Sequence, residues 1–151
     1  MGSYLNPGSK GFQESLNSEI YVDKTGLIEK TNAVLDTRQK FLCVSRPRRF
    51  GKSMAANTLA AYYARSENTE ELFQNLVISK DVSYKENLNQ YDVIKVNIQE
   101  FLSMTGSMDE MLSMLKKYLV FDLMEHFDDV RFRDESNLIQ VMKDIYAKTK
   151  R

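Results

Sequence analysis

An incomplete α/β domain is the fold class that the sequence predicts, and three observations predict it. A short apolar run, Phe41-Leu42-Cys43-Val44, leads straight into a basic, proline-bent turn, and an alanine-rich helical pattern follows from Met54. A second run, residues 93–98, sets Val93, Lys95 and Asn97 against Ile94, Val96 and Ile98, the period-two alternation of a strand with one wet face. Apolar residues at helical spacing occupy much of the remainder. Strand, turn and helix in that order belong to the α/β class, and the whole reads as about two strands with several helices.

Residues 1–22 form an irregular arm, rich in Gly, Ser and Asn, with one short turn around 12–16. Residues 23–66 hold helix, strand, basic turn and helix. Asp23 is the expected N-cap of a helix over about 24–35 that turns Leu27, Ile28 and Leu35 inward. Asp36–Lys40 is a polar connection. Phe41–Val44 is a short strand of the buried type, with Cys43 as inert packing inside it. The helix over 54–64 carries Ala55, Ala56, Ala60 and Ala61, small enough to let it approach a sheet.

Residues 67–106 are a connector and the second strand. Leu72, Phe73, Leu76 and Ile78 cluster there as a short helix leading into an extended piece. Residues 107–151 hold two helices. Ser107-Met108-Asp109-Glu110 is a capping box, and Met111, Leu112, Leu115, Tyr118, Leu119, Leu123 and Phe127 follow at helical spacing, predicting a helix near 108–127. Ser136 or Asn137 opens another near 137–148, with Leu138, Ile139, Met142, Ile145 and Tyr146 on one face. Its basic end, Lys148, Lys150 and Arg151, suits the negative pole of a helix.

The chemistry concentrates at residues 45–53, Ser-Arg-Pro-Arg-Arg-Phe-Gly-Lys-Ser. The phosphate-loop consensus G-x-x-x-x-G-K-[ST] is met at Gly51, Lys52 and Ser53, while its first glycine falls on Arg46. Glycine at 51 permits close backbone approach, and the N–H groups of Gly51, Lys52 and Ser53 would open a helix N-terminus, where unpaired donors and the macrodipole favour anions. Lys52 would reach the β- and γ-phosphates as a mobile charge, and the Ser53 hydroxyl would ligate Mg²⁺. Gly-Lys-Ser alone arises often by chance; the strand before it and the helix after it give it weight. Arg46, Arg48 and Arg49 add charge that an ordinary phosphate loop does not need, for phosphate contact or for structural ion pairs.

Three segments together carry a resemblance: Tyr4-Leu5-Asn6-Pro7-Gly8, Glu19 to Ile28 with its Tyr21-Val22-Asp23-Lys24-Thr25, and Ser45 to Met54. They look like the opening of the bacterial AAA-ATPase-like family, and Tyr91 to Asn97 resembles that family's second strand. In that family arginine stands at the first-glycine position, so Arg46 agrees with the family pattern. The resemblance covers essentially the whole chain. It implies an incomplete P-loop NTPase-like α/β domain, with ATP and Mg²⁺ as cofactors. The loop Arg46, Pro47, Arg48, Arg49, Phe50, Gly51, Lys52, Ser53 and Met54 would bind nucleotide, with Lys52 catalytic and Ser53 on the metal. Tyr21 and Lys24 are its motif positions nearest to a guess for the base. It also implies a frequent downstream nuclease-like domain of the PD-(D/E)xK type.

The family's Walker B element, an apolar strand ending in acidic residues, finds no match after Asn97. The nearest carboxylate is Glu100 in Val96-Asn97-Ile98-Gln99-Glu100, an ordinary post-strand acid. His126, the single histidine, sits near a helix end as a solvated or capping residue. Hydrolysis by this chain alone is therefore expected to be poor.

With 21 Lys+Arg against 21 Asp+Glu, 42% hydrophobic residues and one cysteine in 151 residues, the chain lacks both a global field for nucleic acid and a disulfide framework. No long apolar span or signal-like leader is present, so the expectation is a cytoplasmic domain without a membrane segment. Two strands cannot make a covered parallel sheet. That favours an N-terminal part of a longer product over a natural short form that pairs its strands differently or borrows strands from a partner chain. The competing reading is a non-catalytic interaction module. Its basic loop would bind nucleic acid or an acidic protein, with Phe50, Tyr62 and Tyr63 as stacking residues.

Overall fold

The computed structural model describes residues 4–150. They divide into two compact units, residues 8–93 and residues 4–7 together with 94–150.

In the unit spanning 8–93, α1 (Lys10–Leu16) and α2 (Gly26–Asn32) precede α3 (Lys52–Tyr63), α4 (Glu70–Phe73), a 3-10 turn (Val77–Lys80) and α5 (Tyr84–Asn87). The small residues of α3 serve a helix, not a sheet: α1 packs against it, and a β carbon at Gly11 would lie 2.7 Å from Asn57 Nδ2. Around this contact Phe12, Ile28, Ala61, Tyr62, Phe73, Ile78, Tyr84 and Leu88 close into one apolar core. Phe12 and Phe73 stack at 4.7 Å between ring centroids, and Tyr62 meets Phe73 edge-on at 5.5 Å. The Tyr62 hydroxyl is buried but satisfied, donating to Tyr84 O at 2.7 Å and accepting from Asn32 Nδ2 at 3.1 Å. Burial outweighs the bond accepted from Asn32 and pushes its pKa up to about 12.

In the other unit, α6 (Ile98–Met104), α7 (Met108–His126) and α8 (Leu138–Thr149) carry the structure. Ser107 caps α7 as expected, its Oγ accepting from Glu110 N at 3.2 Å, while Glu110 Oε2 reaches back one residue further than in a capping box and accepts from Gly106 N at 3.0 Å. Asn137 caps α8 by accepting from Ile139 N and Gln140 N. Leu5, Val120, Leu123, Phe127, Val130, Val141 and Ile145 form the core between α7, α8 and the N-terminal residues. Asp122, buried on α7, accepts from Tyr4 N at 2.6 Å and Leu5 N at 3.3 Å, which fastens that short segment to the helix.

The α/β, P-loop NTPase-like expectation is overturned. Among the described residues there is no sheet; the β contacts are two isolated bridges, Leu5 with Ile94 antiparallel and Ala64 with Tyr91 parallel. A strand is stable only when neighbours take its backbone N–H and C=O groups, and Phe41–Val44 has none here. The run is extended but solvated: Phe41 is 86% exposed, and Cys43 is exposed instead of packed inside. Residues 93–98 pair with 4–5 at a single bridge, where Lys95 N donates to Tyr4 O, and then end in a helix. Asn97 Oδ1 accepts from Gln99 N and starts α6 at Ile98, so the final position of the alternating pattern is already helical.

Smaller departures have local causes too. The arm contains a true helix, α1. The expected helix at 24–35 shortens to Gly26–Asn32. At its start Asp23 makes a tight side-chain turn with Thr25 in place of a cap, and beyond its end residues 33–37 form turns, with Leu35 N donating to Asn32 O and Thr37 N to Val34 O. After α4 the chain enters a 3-10 turn, where an extended piece was expected. On α8 the buried face runs through Val141, Asp144 and Ile145, leaving Ile139, Met142 and Tyr146 exposed. Asp144 draws the helix round by accepting from Arg133 N at 2.9 Å and Arg133 Nε at 2.7 Å.

Candidate functional site

The loop at 46–54 ends where the chain turns left-handed. Arg49 has φ +66° and Gly51 φ +83°, and α3 begins at Lys52 directly after. Only glycine takes the second of these values without cost; at Arg49 the same conformation costs about 1–3 kcal/mol, the kind of strain that collects at ligand-binding turns. Nothing neutralises the helix start. Gly51 has no side chain to cap it, and the first turn contains no acid. The N–H groups of Lys52, Ser53 and Met54 have no carbonyl four residues back within the helix, and the positive pole of the macrodipole faces the same way.

Lys52 folds back across the loop. Its Nζ donates to Arg46 O at 2.5 Å and to Pro47 O at 2.9 Å, so the lysine braces the turn in which it lies. Lys52 and Ser53 are both exposed. Arg46, Arg48 and Arg49 are exposed and form no ion pair there, which removes the structural reading of these arginines. Phe50 is 61% exposed at the crest of the turn.

Beside the loop lies a narrow cleft, lined by Tyr21, Leu27, Met54 and Leu59, with Lys24 and Gly51 at its polar end. The wall at 21–25 is held rigidly. Asp23 Oδ1 accepts from Thr25 N at 2.8 Å and Thr25 Oγ1 at 2.6 Å, and Asp23 Oδ2 accepts from Val77 N at 2.7 Å. Burial works to raise the pKa of Asp23, but the bonds from Thr25 and Val77 outweigh it and hold the carboxyl below its ordinary 3.8. A depressed carboxylate stabilises the fold fully above its unfolded pKa, and that contribution is lost as pH falls through the folded value. Urea midpoints of the parent and Asp23→Asn should therefore differ clearly at pH 6 and converge toward pH 3. An equal gap at both pH values would show that the charge is not what holds this wall.

The other candidates of the sequence lie elsewhere. Glu100 sits in the first turn of α6, not at the end of a strand. His126 is the exposed last residue of α7. Tyr62 is fully buried, so its ring is not presented for stacking, while the half-buried Tyr63 donates its hydroxyl to Asn32 Oδ1 at 2.6 Å and meets Tyr62 and Tyr91 edge-on. Sequence reasoning missed the roles of Asp23 and Thr25. The signal was the Asp-x-Thr spacing of a side-chain turn, which competes with an N-cap for the same residue types.

Chemically, this arrangement offers a set of backbone donors and unpaired cations suited to an oxyanion. A family model described as a predicted AAA-ATPase matches residues 8–151. The chain belongs to this AAA-ATPase-like family. No curated protein and no solved structure matches it. Among the described residues no helix is long and apolar enough to cross a membrane.

Proposed function

We propose that the chain binds ATP through the Arg46–Met54 loop, the triphosphate lying against the start of α3. The observation that carries this reading is the uncapped, acid-free helix start behind a left-handed Gly51, with Lys52 folded over the same turn. In the ligand-free chain Lys52 spends its donors on two backbone carbonyls. A phosphate arriving at the N–H groups of Gly51, Lys52 and Ser53 would give that ammonium a charged acceptor, a stronger partner than a carbonyl.

Ser53 fits one Mg²⁺ position, since it is exposed in the first turn of α3 beside the loop. Among the described residues no three His, Cys, Asp or Glu side chains form a metal-binding group, so the nucleotide's own oxygens and water would complete the coordination. Bound there, Mg²⁺ would neutralise charge on the β- and γ-phosphates. Hydrolysis by this chain alone is slow in this reading, because among the described residues no ion pair or hydrogen bond brings a carboxylate to Lys52 that would orient water.

Calorimetric titration with ATP and a non-hydrolysable analogue, with and without Mg²⁺, tests the proposal. Lys52→Ala should weaken Mg²⁺-dependent binding roughly tenfold to a hundredfold, the worth of one charge-assisted contact. Unchanged affinity in the variant would sink it. The competing reading, a module that binds nucleic acid or an acidic protein, keeps its exposed basic loop and Phe50 but loses the buried Tyr62 as a stacking residue.

A further inference from the structure

Lys24 stands between two pinned residues and alone of the three turns toward the loop. Asp23 holds Val77 N at 2.7 Å, and Thr25 Oγ1 accepts from Ile78 N at 3.2 Å, so both neighbours of Lys24 are tied to the 3-10 turn. With its backbone fixed on both sides, Lys24 extends its side chain away from these anchors. Its Nζ reaches a point 3.5 Å from Phe50 O, and a β carbon at Gly51 would lie 3.4 Å from it. The ammonium thus sits against the residue that opens α3, beside the N–H groups that point out of the helix.

That one long contact occupies at most one of the three N–H donors of the ammonium. No carboxylate pairs with Lys24 among the described residues. Lys52 differs in both respects, since it is engaged by two carbonyls and must let go of them to meet a ligand. A cation that is already in position, carried on a rigid wall and poorly satisfied, loses little freedom when it meets an anion.

We propose that Lys24 is a second ligand-binding cation of this site, delivered from outside the loop, which contacts a phosphate oxygen of the bound triphosphate. The proposal rests on the ATP-binding reading of residues 46–54 and adds to it the function of the Asp23-Lys24-Thr25 motif. The two outer residues fasten the wall, and the middle one binds ligand. A purely structural role would make Lys24 a strut under the Phe50 carbonyl.

The deciding experiment titrates the whole chain with inorganic tripolyphosphate and with ATP·Mg²⁺ at low and high salt, for the parent, Lys24→Met, Lys24→Arg and Lys52→Ala. Expected for Lys24→Met is a loss of about tenfold toward both ligands, with a weaker salt dependence and an unshifted ligand-free melting temperature. Lys24→Arg should recover part of the affinity, because it keeps the charge. Parental tripolyphosphate affinity in Lys24→Met, or a loss that merely follows a lowered melting temperature, overturns the proposal. If Lys52→Ala loses binding while Lys24→Met keeps it, the loop reading stands and only the role of Lys24 falls. If the parent chain binds neither ligand, both fall together.

Discussion

Phe73→Ala is expected to destabilise the unit spanning residues 8–93 by about 3–5 kcal/mol, the usual cost of emptying a large buried aromatic site. The ring has no exposed surface, stacks on Phe12 and receives the edge of Tyr62. These neighbours come from α1 and α3, so one side chain joins three helices that have no sheet to align them. Collapse into the space is restricted: Tyr62 is tethered through its hydroxyl to Tyr84 O, and Gly11 already brings α1 as near to α3 as Asn57 allows. Against a total of about 5–15 kcal/mol for an ordinary domain, such a loss removes a large share of the stability. Urea unfolding followed by tyrosine fluorescence and by far-ultraviolet circular dichroism would measure it. A change below about 1 kcal/mol would mean that the core is looser than the ring contacts imply.

Local signals and non-local ones fared differently in this sequence. Ser107 and Asn137 cap their helices where the residue types said they would, because a cap is settled within four residues of chain. Gly51-Lys52-Ser53 opens α3 without a side-chain cap, through the left-handed turn at Gly51, two residues earlier than the apolar pattern suggested. The strand at Phe41–Val44 was a statement about partners, and composition holds no information on whether a neighbour is present to pair with it. At the end of Val93–Ile98 competition acts at short range, since the asparagine at 97 makes the last position of the alternation the start of a helix. The inward face of α8 depended on Asp144 meeting Arg133, a pairing that hydrophobic periodicity does not register.

The candidate site divides along the same line. Residues 46–54 were legible as a loop with a charge and a helix behind it, since every part of that statement is contiguous. What was illegible is the approach of Lys24 to Gly51, which depends on two hydrogen bonds from the Val77–Lys80 turn more than fifty residues away. Tyr62 and Tyr63 were misjudged because aromatic residues near a basic loop look alike in sequence whether they face solvent or core. The sequence sets the two side by side on α3, and only the fold shows one fully buried and the other hydrogen-bonded inward.

Gly51→Val is expected to abolish ligand binding at the loop, by more than about a hundredfold, while leaving the helix content of the chain intact. At φ +83° a β-branched residue meets strain of about 1–3 kcal/mol, enough to move the backbone to negative φ. That movement would turn the N–H groups of Lys52 and Ser53 away from the helix axis. It would also carry off the Arg46 and Pro47 carbonyls on which Lys52 rests. The added carbons point toward Lys24, whose Nζ stands 3.4 Å from the first of them, so the cation beside the loop is displaced as well. Several charge-assisted contacts, each worth about 1.5–3 kcal/mol, are lost through one substitution. The cost to folding stays small, because Gly51 lies at the surface end of α3 and the core residues Ala60, Ala61 and Tyr62 are more than two turns away. Titration with tripolyphosphate and ATP·Mg²⁺, paired with circular dichroism on the same sample, separates the two effects. Retained binding in Gly51→Val would show that the left-handed turn is not what presents these donors, and the anion would then have to be sought among the arginines alone.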